Sequence, residues 1–369
     1  MTAEHEITTV TDLAHGRRLN PAAVGWSRSP VLRTAISGWG RTKRWEYWGV
    51  VSDRFVVGLT VAGLDYLANC AVYVLDRRTG VETVRSGITP FGAPAFSDVP
   101  GDGTIHAAAG PGSTRVSIEI DDNDNDDDIT DPADTAPAGT APSVTAPAGT
   151  DPTDTTTAAH TSAGRTTTIR VRATGVQVDL VVSRPGHDSL GVVVPWSDTR
   201  FQYTLKNLAN PVTGTVTLDG VAHDLGQGWA VLDRGRGRWR YSNVWNWGAG
   251  SGVVDGAPRA IQVGGQWTDG TGCTENGILV DGRMHKIGED LRWSYDVDDR
   301  TGPWRVKGER LDATLTPFHQ RRDITELGVL AVKTWQAFGV WGGTGVLDDG
   351  TTVSLDGLVG WAEESRNRW

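Results

Sequence analysis

Apolar residues in this chain recur at every second position. Val116, Ile118 and Ile120 alternate with polar neighbours. Ile169, Val171 and Ala173 repeat the pattern, and Val176, Val178, Leu180 and Val182 extend it. A period of two sends alternate side chains to opposite faces, so these runs predict half-buried strands. No stretch of about a dozen residues carries an apolar stripe at helical spacing between credible caps. Asp-Gly pairs, which favour tight hairpin turns, begin at Asp102, Asp219, Asp255, Asp269, Asp281, Asp349 and Asp356. Segments 213–225, 276–287 and 345–355 therefore read as strand–turn–strand units, and the chain as all-β.

One stretch breaks the pattern. Residues 121–166 are rich in Asp, Thr, Ala and Pro, and TAPAGT occurs at 135–140 and again at 145–150. Such a composition buries too little apolar surface to offset ordering entropy, so a disordered loop joining two adjacent strands is expected. Its run DDNDNDDD at 121–128 lacks the glycine and final carboxylate of a calcium loop. The net charge of −10 resides there: ten Asp between 121 and 160 leave 35 acidic and 35 basic residues elsewhere. A formally neutral folded part argues against nucleic acid and against a polybasic membrane anchor.

Other classes are excluded by what is missing. No apolar run of about 18 residues predicts a membrane span, and MTAEHEITTVTDLAHG has no apolar signal segment, so a cytoplasmic protein is expected. Cys70 and Cys273 are too few for a disulfide scaffold. No glycine-rich phosphate loop, Gly-x-Ser-x-Gly elbow, His-Glu-x-x-His or Cys-x-x-Cys is present, so neither a cofactor nor a metal is expected.

The 16 Trp concentrate the remaining signal. In 233–248, DRGRGRWRYSNVWNWG, the odd positions Trp239, Tyr241, Asn243, Trp245 and Trp247 would share one strand face, opposite Arg234, Arg236, Arg238 and Arg240. That face either fills a β core or lines a ligand cavity with few polar groups. Acids adjoin the aromatics: Asp233 at the head of the ladder, Glu275 after Trp267, Glu363 and Glu364 after Trp361, and Glu46 between Trp45 and Trp48. A carboxyl desolvated by rings becomes a usable proton donor near neutral pH, whereas one paired with Arg stays ionised.

The blocks 16–30, 39–50, 232–248 and 355–369, with TDGTGCTENG at 268–277 and TPFHQRRD at 316–323, resemble domain-of-unknown-function family 2804. A more distant resemblance, through Asp233 to Gly237 and the Trp-rich sequence beyond, is to the carotenoid hydratase (hydroxyneurosporene synthase) and AttH-like group. That resemblance implies two tandem lipocalin-like barrels or sandwiches, and the Asn210-Pro211 turn signal in KNLANPVTG puts a boundary near 205–212, dividing the chain into 1–210 and 211–369. It also implies chemistry on isoprenoid- or polyketide-like molecules. One reading is a cofactor-independent hydratase, isomerase or cyclase. In it Asp233 or Glu275 protonates a lipophilic substrate held by Tyr241, Asn243, Trp245, Trp247, Trp267 and Glu363. The alternatives are a carrier that binds a lipophilic small molecule without chemistry, or a carbohydrate-binding β protein.

Overall fold

The computed structural model describes residues 4–123 and 165–368. Its helical content among these is two single 3-10 turns, Pro21–Ala23 and Gly112–Thr114; everything else regular is strand, as the alternation predicts. None of the described helices is long and apolar enough to cross a membrane. The described strands form a sheet of thirteen, curled into a nearly closed barrel, and a sheet of ten, curled into a half-barrel, with two small two-stranded pairs.

The first sheet holds two antiparallel runs. One comprises Thr42–Ser52, Phe55–Gly63, Leu67–Asp76 and Val81–Pro90. The other runs from Ile105–Ala109 through Val116–Asn123, Arg165–Ala173, Val176–Arg184 and Arg200–Leu218 to Gly228–Arg238. The runs join where Gly228–Arg238 pairs with Thr42–Ser52. The predicted apolar sets, including Ile118, Ile120, Ile169, Val171, Val178 and Leu180, are fully buried inside this barrel. The second sheet orders Ser242–Val254 between Ala257–Gly265 and Leu358–Arg368, followed by the long hairpin of Leu330–Val346 and Leu311–Leu327. Its own core gathers Ile261, Ile278, Trp304, Trp341 and Leu358. A third core, with Val51, Val231, Leu208, Trp247, Ala249 and Trp361, lies where the two sheets face each other.

Tight Asp-Gly hairpins form as expected at Asp219, Asp255 and Asp281, whereas Asp102 and Asp356 do not join paired strands and Asp269 lies in the longer 266–275 loop. Asp219, Asp255 and Asp281 take left-handed φ of 49°, 54° and 49°, followed by glycines at 83°, 81° and 76°. Consecutive positive φ values are those of a twist-matched hairpin turn. The bulk of the 121–166 insert lies outside the described residues, but its ends do not. Asp121–Asn123 pairs with Thr166–Thr168, so the strands reach further than composition indicates, and they are adjacent as predicted. Cys70 and Cys273 are both free and buried.

Segment 205–212 forms no turn between strands. It lies within the continuous strand Arg200–Leu218, and the Asn-Pro turn signal there marks a bulge: register shifts between Asn207 and Asn210, with Ala209 at φ 53°. Before the bulge Phe201, Tyr203 and Leu205 pack under the N-terminal segment; after it Val212 and Val216 point into the barrel. A bulge re-aims side chains without ending the strand. The change of sheet falls later, between Arg238 and Ser242. Trp239 and Tyr241 therefore fall in the link between the sheets and Asn243, Trp245 and Trp247 on the second sheet, so the pattern is not a single strand face.

Candidate active site

Strand register builds a polar centre on the barrel face that meets the second sheet. Asp233 lies opposite Lys206 on one side and opposite Tyr47 on the other, giving a row Tyr47–Asp233–Lys206 across three strands. Lys206 Nζ stands 2.8 Å from Asp233 Oδ1 and 3.5 Å from Glu275 Oε1, and 4.0 Å above the Trp247 ring. Thr204, two residues earlier on the same face, donates its hydroxyl to Glu275. Trp45 Nε1 donates to Asp233 Oδ2 at 3.1 Å.

That last bond depends on a glycine. Gly235 lies opposite both Trp45 and Thr204, and a Cβ there would collide with the middle of the Trp45 indole. The ring lies flat across the bare backbone and so reaches the carboxylate. Gly49 does the same for Trp361 and Gly265 for Trp293. Gly235→Ala is expected to displace Trp45 at a cost of about 1–3 kcal/mol, the usual penalty of overpacking. Urea denaturation monitored by tryptophan fluorescence checks it, and an unchanged midpoint would contradict this seating role.

The second sheet contributes the facing half. Glu363 lies between Trp247 and Gln336 in register, and accepts from Trp245 Nε1 at 2.9 Å and Gln336 Nε2 at 3.0 Å. Strand alternation separates it from its neighbour Glu364, which turns to the other face and pairs with Arg300 at 3.0 Å. Glu46 is also spoken for, by Arg234 at 2.9 Å inside the barrel. These two acids are ion-paired carboxylates. Glu363 has no Lys, Arg or His within ion-pair distance among the described residues.

The rings pack edge to face around this centre. Centroids are 5.1 Å apart for Trp247–Trp361, 5.7 Å for Tyr47–Trp247, 5.7 Å for Trp239–Trp245 and 5.5 Å for Trp45–Trp239. Trp45, Tyr47, Trp196 and Trp245 are only half-buried, while Asp233, Glu275 and Glu363 are buried. The carboxyls thus lie beneath rings that solvent reaches.

Burial sets the protonation of the cluster. It pushes Glu363 up to about 7, against the opposing hydrogen bond of Trp245 and the more distant Lys206 and Arg321. Burial also raises Glu275, with Lys206 opposing and Asp233 reinforcing the rise. Burial alone would lower Lys206, but Asp233 and Glu275 outweigh it and the ammonium is held above its ordinary range. Burial beside a single Lys206 ammonium thus shifts Glu363 and Glu275 toward their protonated forms. A carboxyl raised on folding stabilises fully below its unfolded value of 4.5, and that stability is lost as pH climbs to about 7. Stability is therefore expected to fall across that interval, and Glu363→Gln to flatten the fall in urea melts at successive pH values.

Of the residues expected from sequence, Asp233, Glu275, Trp245, Trp247 and Glu363 come together. Trp267 borders the group through Trp196, at 6.1 Å between centroids. Asn243 is buried, with Nδ2 making no hydrogen bond. Tyr241 stands apart: it is 43% exposed and donates to the Val329 carbonyl, because it sits in the link between the sheets. Lys206 and Gln336 carry no local motif and emerge only from the register, while Trp45 and Tyr47 flank Glu46 in the sequence but reach Asp233 only through the register.

No curated protein matches the chain. Similar solved structures include kievitone hydratase from Nectria haematococca, at 10% identity over 89% of each chain with a TM-score of 0.45. CghA with Sch210972 is 11% identical, covering 93% of this chain and 89% of its own, at a TM-score of 0.47. An AttH candidate from Nitrosomonas europaea is 12% identical over 88% of this chain and 92% of its own, at 0.48. The model of the family described as Domain of unknown function (DUF2804) matches residues 4–369, and the chain belongs to that family.

Proposed function

We propose that the protein is a cofactor-independent acid–base enzyme acting on a lipophilic small molecule between its two sheets. The observation that carries this reading is Glu363, a carboxyl without an ion-pair partner, raised to about 7, set beneath aromatic rings and beside the Lys206–Asp233 pair. Glu363 gives its proton to an alkene carbon or a carbonyl oxygen. The face of the half-buried Trp245 stabilises the cation that develops. Asp233, paired with Lys206 and hydrogen-bonded by Trp45, accepts a proton from an attacking water or from the neighbouring carbon. The first outcome is hydration and the second isomerisation. Solvent then returns a proton to Glu363 and takes one from Asp233.

Isotope uptake detects this chemistry whichever molecule is the substrate. The full chain is incubated in D₂O with isoprenoids, polyketide-like enones and fatty acids, and products are read by mass spectrometry. Deuterium on carbon, or addition of water, supports the reading. The dense edge-to-face packing of the rings favours instead a binder without turnover. Saturable quenching of tryptophan fluorescence by an apolar ligand, with no deuterium uptake, would establish that alternative and overturn the enzyme.

A further inference from the structure

A second site opens on the opposite face of the same strands. Asn246, between Trp245 and Trp247, turns away from the barrel and floors a cleft of about 430 Å³ at the mouth of the half-barrel. Gln266, Asp269, Trp293, Ser294 and Tyr295 line it with Asn246. We propose that this cleft binds a neutral polyhydroxylated ring, a sugar or cyclitol, on its own or as part of a larger ligand.

The floor is built rather than incidental. Gln266 Nε2 donates to Asn246 Oδ1 at 2.6 Å, Asn246 Nδ2 to Tyr295 Oη at 3.0 Å, and Tyr295 Oη to Glu364 Oε2 at 2.8 Å, where Arg300 closes the chain. Tyr295 is clamped by stacking on Trp304 at 3.9 Å. Each donor has one direction, so the amides are fixed before any ligand arrives.

Gln266 is the second observation. It is not glycine, yet it sits at φ +66°, a conformation that side chains seldom adopt. Its N–H bonds to Asp269 Oδ1 at 2.8 Å, which holds the turn and brings both side chains to the cleft. Such an outlier, kept by its surroundings, marks a place where position matters.

The uncommitted groups define the ligand. The amide oxygen of Gln266 and the second carboxylate oxygen of Asp269 accept hydroxyl protons, and Ser294 adds a hydroxyl. Trp293, half-buried and resting on Gly265, offers a ring wall for C–H groups. The cleft's lining residues include no cation, and Arg300 behind it is paired with Glu364, so no counter-charge awaits an anion. An aromatic wall facing an amide and a carboxylate is complementary to a ring that is apolar on its face and hydroxylated at its edge.

The full chain is titrated with methyl β-D-glucopyranoside, methyl α-D-mannopyranoside and myo-inositol by calorimetry and tryptophan fluorescence. Saturable binding of at least one, with Kd on the order of 1 mM, is expected. Trp293→Ala and Asp269→Asn are each expected to weaken it by about tenfold, a loss of about 1.4 kcal/mol. Asp269 lies on an exposed turn, so its variant is expected to keep the fold, and an unchanged urea midpoint verifies that. Absence of saturable binding by all three probes overturns the proposal. So does binding that survives both variants, or binding of phenol in place of the polyols.

Discussion

Lys206→Met is expected to destabilise the protein by about 3–5 kcal/mol, the cost of removing one partner from a buried ion pair. Lys206 Nζ is the cation between Asp233 and Glu275, at 2.8 and 3.5 Å, and all three side chains are at least nine-tenths buried. Methionine fills similar volume and keeps contact with the Trp247 face, so the loss reports charge rather than a cavity. The same replacement removes the stabilising charge near Glu363 and raises the pH at which that carboxyl ionises. Equilibrium urea denaturation near neutral pH measures the first effect. A change under about 1 kcal/mol would mean that the carboxyls are already neutral, and that the ammonium does not organise the cluster.

Glu363→Gln is expected to abolish proton transfer to carbon, lowering turnover by about 10²–10⁴-fold, the range assigned to a positioned general acid. The amide is isosteric and still accepts from Trp245 on one side, so binding of an apolar ligand, followed by fluorescence, is expected to persist. The pH profile carries the sharper signature. With Glu363 as the acid, activity declines as pH rises through about 7 and the carboxyl ionises. Asp233→Asn should also inactivate, but through loss of the base. If Glu363→Gln retains wild-type deuterium incorporation, the acid lies elsewhere in the cluster, and Glu275, raised by burial, becomes the candidate.

The sequence makes the strands legible because each apolar set is buried in one core by one strand. Val116, Ile118 and Ile120 are placed by their own alternation, whatever strands pair with them. The Asp-Gly hairpins at Asp219, Asp255 and Asp281 are legible for the same local reason. The ladder from Trp239 to Trp247 is harder. Its odd-position rhythm continues unbroken through the change of sheet, so Tyr241 looks equivalent to Trp245 although it lies outside the cluster. Lys206 is silent in sequence because its partners come from distant strands, and the Asn-Pro signal just beyond it reads as a turn when it is a bulge. Glu363 and Glu364 are indistinguishable as an acidic pair until alternation assigns one to the rings and the other to Arg300.

The seam between Thr42–Ser52 and Gly228–Arg238 has a consequence during synthesis. The earliest long strand of the barrel has the latest one as its neighbour, so the ring cannot close until Gly228–Arg238 has left the ribosome. At about 5–20 residues per second, the roughly 175 residues between Ser52 and Gly228 take on the order of 9–35 s to appear. For that time one edge of Thr42–Ser52, with its unpaired amides and carbonyls, is open to other nascent chains. Yield from cells should therefore depend on chaperone supply and growth temperature more steeply than the melting temperature of the finished protein suggests. Excising the 41 residues from 124 to 164 would shorten the exposure without touching a described strand.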